Sequence, residues 1–323
     1  MKAQLPVLPK CLLITAARNE ERHIERAIAS MIAQTAPPAK WVIVDDGSTD
    51  RTADIVDRYA ARYKWMERLD MPGHRKRNFA AKAHCFNTAW KSAGAVAYEI
   101  VGNVDADVSF EPEYIEFLLR KFIEMPKLGV AGTPFREDEG YDSSRDSFQG
   151  EYHVAGACQL FRQDCLADVG GYVHNASGGI DWIAVTTARM KGWETRSFHE
   201  KYFLHHRPLG MAERGRLASL FSYGEKDYYL GGSITWELFR VSYRMAKPPL
   251  VIGGIAIGLG YLSAAVRRMN KPVSTELMNF HRREQMKKLR AILKSLARMQ
   301  KVDNFTLLAG SGIASKGRPS GDD

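Results

Sequence analysis

Three short β-rich runs in the first third of the chain each end in a polar cluster, with helical spacing between them, and this constrains the fold more than any other feature. Cys11–Thr15 runs into Ala16–Glu20, Trp41–Val44 into Asp45-Asp46-Gly47-Ser48, and 95–104 into Asp105–Asp107. Between them, Ile24, Ile28, Met31 and Ile32 recur at helical spacing. A second helix follows Ser48, with Thr49 as its expected cap and Ile55, Val56 and Tyr59 inward, and 78–92 reads as a third. Such alternation predicts an α/β fold, a mostly parallel central sheet flanked by helices. Crossovers in it are right-handed. Ligands of open parallel sheets bind at the carboxyl ends of the strands, where all three polar clusters fall.

Further along, 136–150 reads as a polar loop, 154–161 as a strand, and Asp181–Lys191 as a helix that Gly178-Gly179 precede and Gly192 ends. Beyond about residue 210 the chain turns to aromatic-rich helical sequence. The expected division is a catalytic domain over 1–210, a helical extension over 211–301 and a disordered tail over 302–323. Within the extension, 248–266 carries no charge, and 274–301 reads as a basic amphipathic helix with Leu289, Ile292, Leu293 and Leu296 on its apolar face.

Charge is distributed unevenly. Residues 267–301 hold eleven Lys/Arg against two Glu, whereas 1–266 is balanced, 33 against 32. A neutral body with one basic segment argues against nucleic acid as a partner and for an anionic membrane surface. Four cysteines without a C-x-x-C pair make a zinc site or disulfide framework unexpected. The first apolar run is too short and too soon charged for a signal peptide, so none is expected.

Asp105-Ala106-Asp107 places two carboxylates just past a strand end. Hard divalent cations take oxygen ligands and are often shared between a carboxylate and substrate phosphates, so one Asp suits Mg²⁺ or Mn²⁺ and the other a sugar or ribose hydroxyl. Asp46 can accept from a base N–H or ribose hydroxyls. The alternatives are a solvated turn for the first motif and a strand-ending turn for the second.

With these residues in place, ITAARNEERHIERAIASMIAQT, WVIVDDGSTDRT and NVDADV together resemble the family 2 inverting glycosyltransferases, over about residues 10–210. The resemblance implies the GT-A nucleotide-sugar fold. It implies that Ala16, Arg18, Asn19 and Glu20 border the nucleotide and that Asp46 holds the base, uracil or an equivalent. Lys82 would lie near the donor phosphate or ribose, although its segment RKRNFAAKAHCFNTAW lacks the family's glycines. Asp105 would touch ribose or sugar, and Asp107 the metal, with Asp105 and His205 as further candidate ligands. The family's late E-D pair corresponds to Ile180-Asp181, which keeps only the Asp. Asp181 is then the general base, or otherwise a helix cap.

The implied reaction is metal-dependent, single-displacement hexosyl transfer from a nucleotide sugar, expected to be UDP-linked, to a lipid-linked or polysaccharide hydroxyl. No G-x-S-x-G nucleophile motif is present. A polyprenyl-phosphate sugar transferase is the close alternative, and a basic membrane-binding scaffold the non-enzyme one. The 19-residue uncharged run is marginal for a span. A single crossing would also put the basic segment outside, against the positive-inside rule. The expected location is therefore the cytoplasmic face of a membrane, through a peripheral or re-entrant C-terminal segment.

Overall fold

The computed structural model describes residues 7–72, 78–93, 97–137, 140–145, 150–207 and 215–298. Its strands are β1 (Cys11–Ala17), β2 (Lys40–Asp45), β3 (Met66–Asp70), β4 (Ile100–Val104), β5 (Val108–Ser109), β6 (Leu128–Gly132), β7 (Phe135–Glu137), β8 (Cys158–Arg162), β9 (Glu194–Ser197) and β10 (Phe203–His205). Seven form the main sheet in the order β3-β2-β1-β4-β8-β6-β9. Four of its six pairings are parallel; β8 runs antiparallel to both neighbours. The chain builds outward from β1 to β3 and then crosses to β4 on the other side. The crevice expected at such a reversal therefore opens between the ends of β1 and β4.

Alternation along the strands explains the layers. Leu13, Trp41 and Ile43 face one core with α1 (Ile24–Ile32), α2 (Thr52–Ala60) and α4 (Tyr114–Glu124). Leu12, Ile14, Val42 and Val44 face the other with α3 (Phe79–Ser92), α5 (Gln163–Val169) and α6 (Ile180–Met190). Both faces are covered, so the strands read as continuous apolar runs. Phe86 is fully buried in the second core; truncating such a side chain to Ala costs about 3–5 kcal/mol.

Several boundaries differ from the sequence reading. β4 begins at Ile100, and residues 94–96 lie outside the described part. The strand expected at 154–161 is β8, beginning at Cys158, because 154–157 turn toward the sheet's carboxyl edge. The cap position of α2 is Arg51, not Thr49, and no side chain of that residue caps the helix; in the turn before it Thr52 N–H donates to Asp50 Oδ1 at 2.9 Å. Burial raises the Asp50 carboxyl, but the bonds it accepts outweigh this and hold it below the usual range.

The C-terminal helices are α7 (Arg216–Tyr229), α8 (Ile234–Met245), α9 (Ile252–Val266) and α10 (Thr275–Ala297). They are seated against α6. Trp182 and Ile183 share a core with Tyr229, Leu230, Val273 and Leu277, and Arg189 donates to Glu284 at 2.9 and 3.0 Å. α7 and α9 touch backbone to backbone at two glycines: a Cβ on Gly224 would collide with the Ile257 carbonyl, and one on Gly260 with that of Phe221.

The expected apolar face of the basic helix is also revised. The buried side of α10 is Leu277, His281, Gln285, Lys288 and Ile292, whereas Leu293 and Leu296 are exposed. The uncharged run is a 15-residue helix, about 22 Å long at 1.5 Å per residue. Among the described residues, no helix is long and apolar enough to cross a membrane. The tail expected at 302–323 and the last residues of the helix expected at 274–301 lie outside the described residues.

Candidate active site

β1 and β2 end in register, Ala17 opposite Asp45, so 16–20 and 45–48 form one rim of the crevice. The two adjacent aspartates divide their tasks. Asp45 accepts from Ser48 N–H at 2.9 Å and closes the turn. Asp46 is buried, with Oδ2 3.7 Å from Arg18 Nη1. Asn19 adopts a left-handed backbone, φ 55°, which Asn tolerates better than most residues. Its N–H donates to Ser48 Oγ at 3.1 Å and its Oδ1 accepts from Thr49 N–H at 2.8 Å, stitching the two loops together. Ala16 is half-buried at the strand end, and Glu20 is buried and pairs with Arg207.

The next rim comes from β4. Asp105 Oδ1 accepts from Lys82 Nζ at 2.5 Å and from Asn103 Nδ2 at 3.2 Å. Lys82, from α3, thus reaches the D-x-D motif without the expected glycines.

Two residues on, Asp107 precedes β5, and β10 pairs with β5 so that His205 lies opposite Val108. This register brings His205 Nε2 to 3.7 Å from Asp107 Oδ1, with Arg207 Nε 3.6 Å from Oδ2. His205 is buried, and its Nδ1 makes no hydrogen bond, with Glu137 Oε1 3.9 Å away. Among the described residues, no group of three His, Cys, Asp or Glu is placed to hold a metal. Mg²⁺ and related ions, however, use one or two protein groups plus substrate phosphate oxygens. Asp107 and His205 stand at a separation that two ligands of one such ion can span, so this donor set fits.

Asp181 approaches from the opposite wall. Gly178 and Gly179 both take positive φ, 93° and 78°, and turn the chain into α6, so that Asp181 falls in its first turn. The cap position is Gly179, which leaves the Asp181 carboxylate directed to the cavity. Burial raises this carboxyl, but Lys226 foremost, then His153, the Trp182 N–H and Lys82, outweigh it and hold it below the usual range. His153 Nε2 lies 3.9 Å from Asp181 Oδ2, and burial lowers that imidazole below its ordinary value against the opposing pull of Asp181.

Gly156 joins the two walls. Its carbonyl accepts from Asn103 at 2.6 Å and from Lys82 at 3.3 Å, while its Cα lies against Asp181. Asp105, Lys82, Gly156, Asp181, His205 and Lys226 all line one cavity of about 710 Å³.

Sequence reasoning missed Asn103, His153, Gly156 and Lys226. Asn103 sits in the NVDAD run and was within reach; the other three carry no local signature. None of the four cysteines is a nucleophile: all are buried, and burial pushes their thiols far up.

Comparison with known proteins agrees with this geometry. Residues 12–169 match the model of glycosyl transferase family 2. The chain is 25% identical over 175 residues to the poly-beta-1,6-N-acetyl-D-glucosamine synthase of Staphylococcus epidermidis, a match covering 49% of this chain and 40% of that protein. It therefore spans less than half the length of that relative. Glycosyltransferase AglE of Haloferax volcanii is 26% identical over 289 residues, covering 83% of this chain and 88% of that one.

Among solved structures, the mannosyltransferase PcManGT of Pyrobaculum calidifontis, in complex with GDP-Man and Mn²⁺, superposes with a TM-score of 0.53 at 20% identity, covering 94% of this chain and 79% of that chain. S. aureus TarS 1-349 in complex with UDP-GlcNAc gives 0.53 at 18% identity, covering 92% and 90%. The family match, the two relatives and the shared architecture lead to one conclusion: residues 12–169 are similar to glycosyl transferase family 2, and the chain has the GT-A fold of these transferases.

Proposed function

We propose that this protein transfers a sugar, with inversion, from a UDP-linked donor to a hydroxyl of a lipid-linked or polysaccharide acceptor in envelope or extracellular polysaccharide biosynthesis. The observation that carries this is Asp181, kept as a carboxylate and facing the Asp105 rim across one cavity. Asp46 and Arg18 receive the base, and Asp105, positioned by Lys82 and Asn103, receives ribose or sugar hydroxyls. Relatives named for poly-N-acetylglucosamine synthesis and a neighbour holding UDP-GlcNAc support this choice of chemistry.

The acceptor oxygen attacks the anomeric carbon from the side opposite the nucleotide. The new carbon–oxygen bond forms as the bond to the β-phosphate oxygen breaks, and the electron pair leaves with the nucleoside diphosphate. Asp181 takes the acceptor proton as general base. Asp107 and His205 would hold Mg²⁺ or Mn²⁺, which supplies Lewis-acid stabilisation of the leaving diphosphate. A screen of nucleotide sugars for metal-dependent nucleotide release tests this reading; no release with any donor, in the presence of saccharide and lipid-linked acceptors, overturns it.

The proposed location is the cytoplasmic face of a membrane. α9 leaves Ile252, Ile255, Leu259, Leu262 and Val266 exposed, three and four residues apart along one side. Residues 245–275 around it contain four Lys/Arg and no Asp/Glu. An apolar stripe among cations complements an anionic bilayer surface. The short helix favours lying in the interface over crossing it.

A further inference from the structure

The backbone just before β8 is pinned on both sides of one residue. Arg189 Nη1 and Thr195 Oγ1 donate to the Tyr152 carbonyl at 3.0 and 2.7 Å. Gln159 Nε2 donates to the Val154 carbonyl at 2.8 Å, and Tyr172 Oη in turn donates to Gln159 Oε1 at 2.6 Å. His153 stands between the two anchored carbonyls. Side chains from α6, β9 and β8 thus converge on the main chain around a single histidine. Backbone held in this way fixes the direction in which the side chain leaves it.

That direction is toward Asp181, with Nε2 3.9 Å from Oδ2. The same oxygen lies toward Gly156, where an added Cβ would meet Oδ2 at 3.2 Å. Oδ2 is therefore the oxygen turned to this stretch of chain. Burial foremost, then Lys226 and Arg189, disfavour a positive imidazole against Asp181, which favours it, and the balance lowers the group below its ordinary value. A neutral imidazole carries one N–H. On Nε2 it donates toward the carboxylate; on Nδ1 it would leave a lone pair facing a carboxylate oxygen. Nδ1 is buried and makes no hydrogen bond among the described residues, so nothing there competes for the proton. A separation of 3.9 Å is longer than a hydrogen bond, and catalytic contacts of this kind tighten when substrate completes the site.

The clamp reaches the C-terminal helices. Arg189 lies in the last turn of the helix whose first turn holds Asp181. Its Nε and Nη2 donate to Glu284 of α10 at 2.9 and 3.0 Å, while Nη1 serves Tyr152. Two parallel bonds between a guanidinium and a carboxylate fix geometry as well as charge. One side chain therefore joins α10, α6 and the turn that carries His153.

We infer that His153 is the positioning residue of Asp181, its Nε2–H holding Oδ2 so that Oδ1 receives the acceptor proton, and that α10, through Glu284 and Arg189, holds His153 in place. This rests on the transferase reading and adds to it the group that aims the base.

One test needs no turnover. Nitrogen-15 NMR of the full chain, labelled in its histidine rings, reads the tautomer of each imidazole, and the His153 signals are those missing from His153→Gln. They are expected to show the Nε2–H form and to move in Asp181→Asn. The Nδ1–H form, or signals indifferent to Asp181→Asn, overturns the inference. The second test is kinetic, with turnover read as nucleotide release from the donor that the screen identifies. His153→Leu should lower kcat about ten-fold or more, the direction expected when a reacting group is misplaced, with UDP affinity by calorimetry retained. His153→Gln, which keeps an N–H near the same place, should keep most of the turnover. In an Asp181→Asn background His153→Leu should cost nothing further, because residues that act as one unit are not additive. Glu284→Ala should lower kcat in the wild-type chain and not in His153→Leu. Equal losses in His153→Leu and His153→Gln, or a full further loss in the double variant, overturn the positioning role; equal losses from Glu284→Ala in both backgrounds overturn the part given to α10. A His153 of the expected tautomer that responds to Asp181→Asn, in a chain that releases nucleotide from no donor, defeats the transferase reading and leaves the pair standing.

Discussion

Gly156 is packed so closely on Asp181 that a Cβ added to it would lie 2.7 Å from Asp181 Cβ. Asp181 cannot stay in place when that atom is present. Gly156→Ala is expected to lower kcat by roughly 10²-fold, the scale of a 1 Å misplacement in an active site. Donor KM should change little. Steady-state kinetics with varied donor checks the split; an unchanged kcat would show that Asp181 can shift without cost.

Asp181→Asn keeps the shape of the side chain and removes its basicity. Turnover should fall by about 10²-fold or more, as for loss of a positioned base, with UDP affinity retained by calorimetry. Near-wild-type turnover would place the base elsewhere.

Lys226 is the largest of the influences that favour the charged form of Asp181. Lys226→Met removes that support, so the carboxyl must rise. A base works only when deprotonated, and the acidic limb of the kcat profile should therefore move to higher pH. A pH–rate series on both proteins measures it; coincident limbs would mean that Asp181 does not govern that limb.

Asp107→Ala should abolish the Mn²⁺-dependent part of UDP binding and leave the melting temperature within a few degrees. Titration with UDP in the presence and absence of Mn²⁺ reads this directly. A variant with the wild-type metal dependence would remove Asp107 from the metal site.

Leu259→Asp places a charge in the middle of the exposed stripe of α9. Flotation with anionic liposomes should drop several-fold in the variant, and high salt should weaken wild-type binding without eliminating it. Wild-type protein that never floats would assign the stripe to another partner.

The sheet and its ligand-binding edge were legible because short continuous apolar runs and the D-D-G-S and D-A-D turns are local signals. Asp46, Asp105 and Asp107 lie on the crevice for that reason. Strand β8 was placed too early because Val154 and Ala155 look β-like, whereas Gly156 is needed for contact with a residue 25 positions away. Lys226 was unreadable for a related cause: a lysine on a helix has the pattern of a solvated face, and only tertiary packing turns it inward. The apolar side of α10 was misjudged because it buries His281, Gln285 and Lys288, residues that no hydropathy pattern assigns to an interior.

The two glycine contacts between α7 and α9 have a mechanical consequence. With backbones touching at Gly224 and Gly260, the two helices cannot slide past each other or rotate independently. α9 carries the outward stripe, and α7 carries Lys226, which acts on Asp181. Whatever plane the stripe rests on therefore also sets the direction in which the cavity mouth points. Anchoring and aim become one rigid-body degree of freedom, so that fixing the protein on a surface fixes the angle at which an acceptor must arrive.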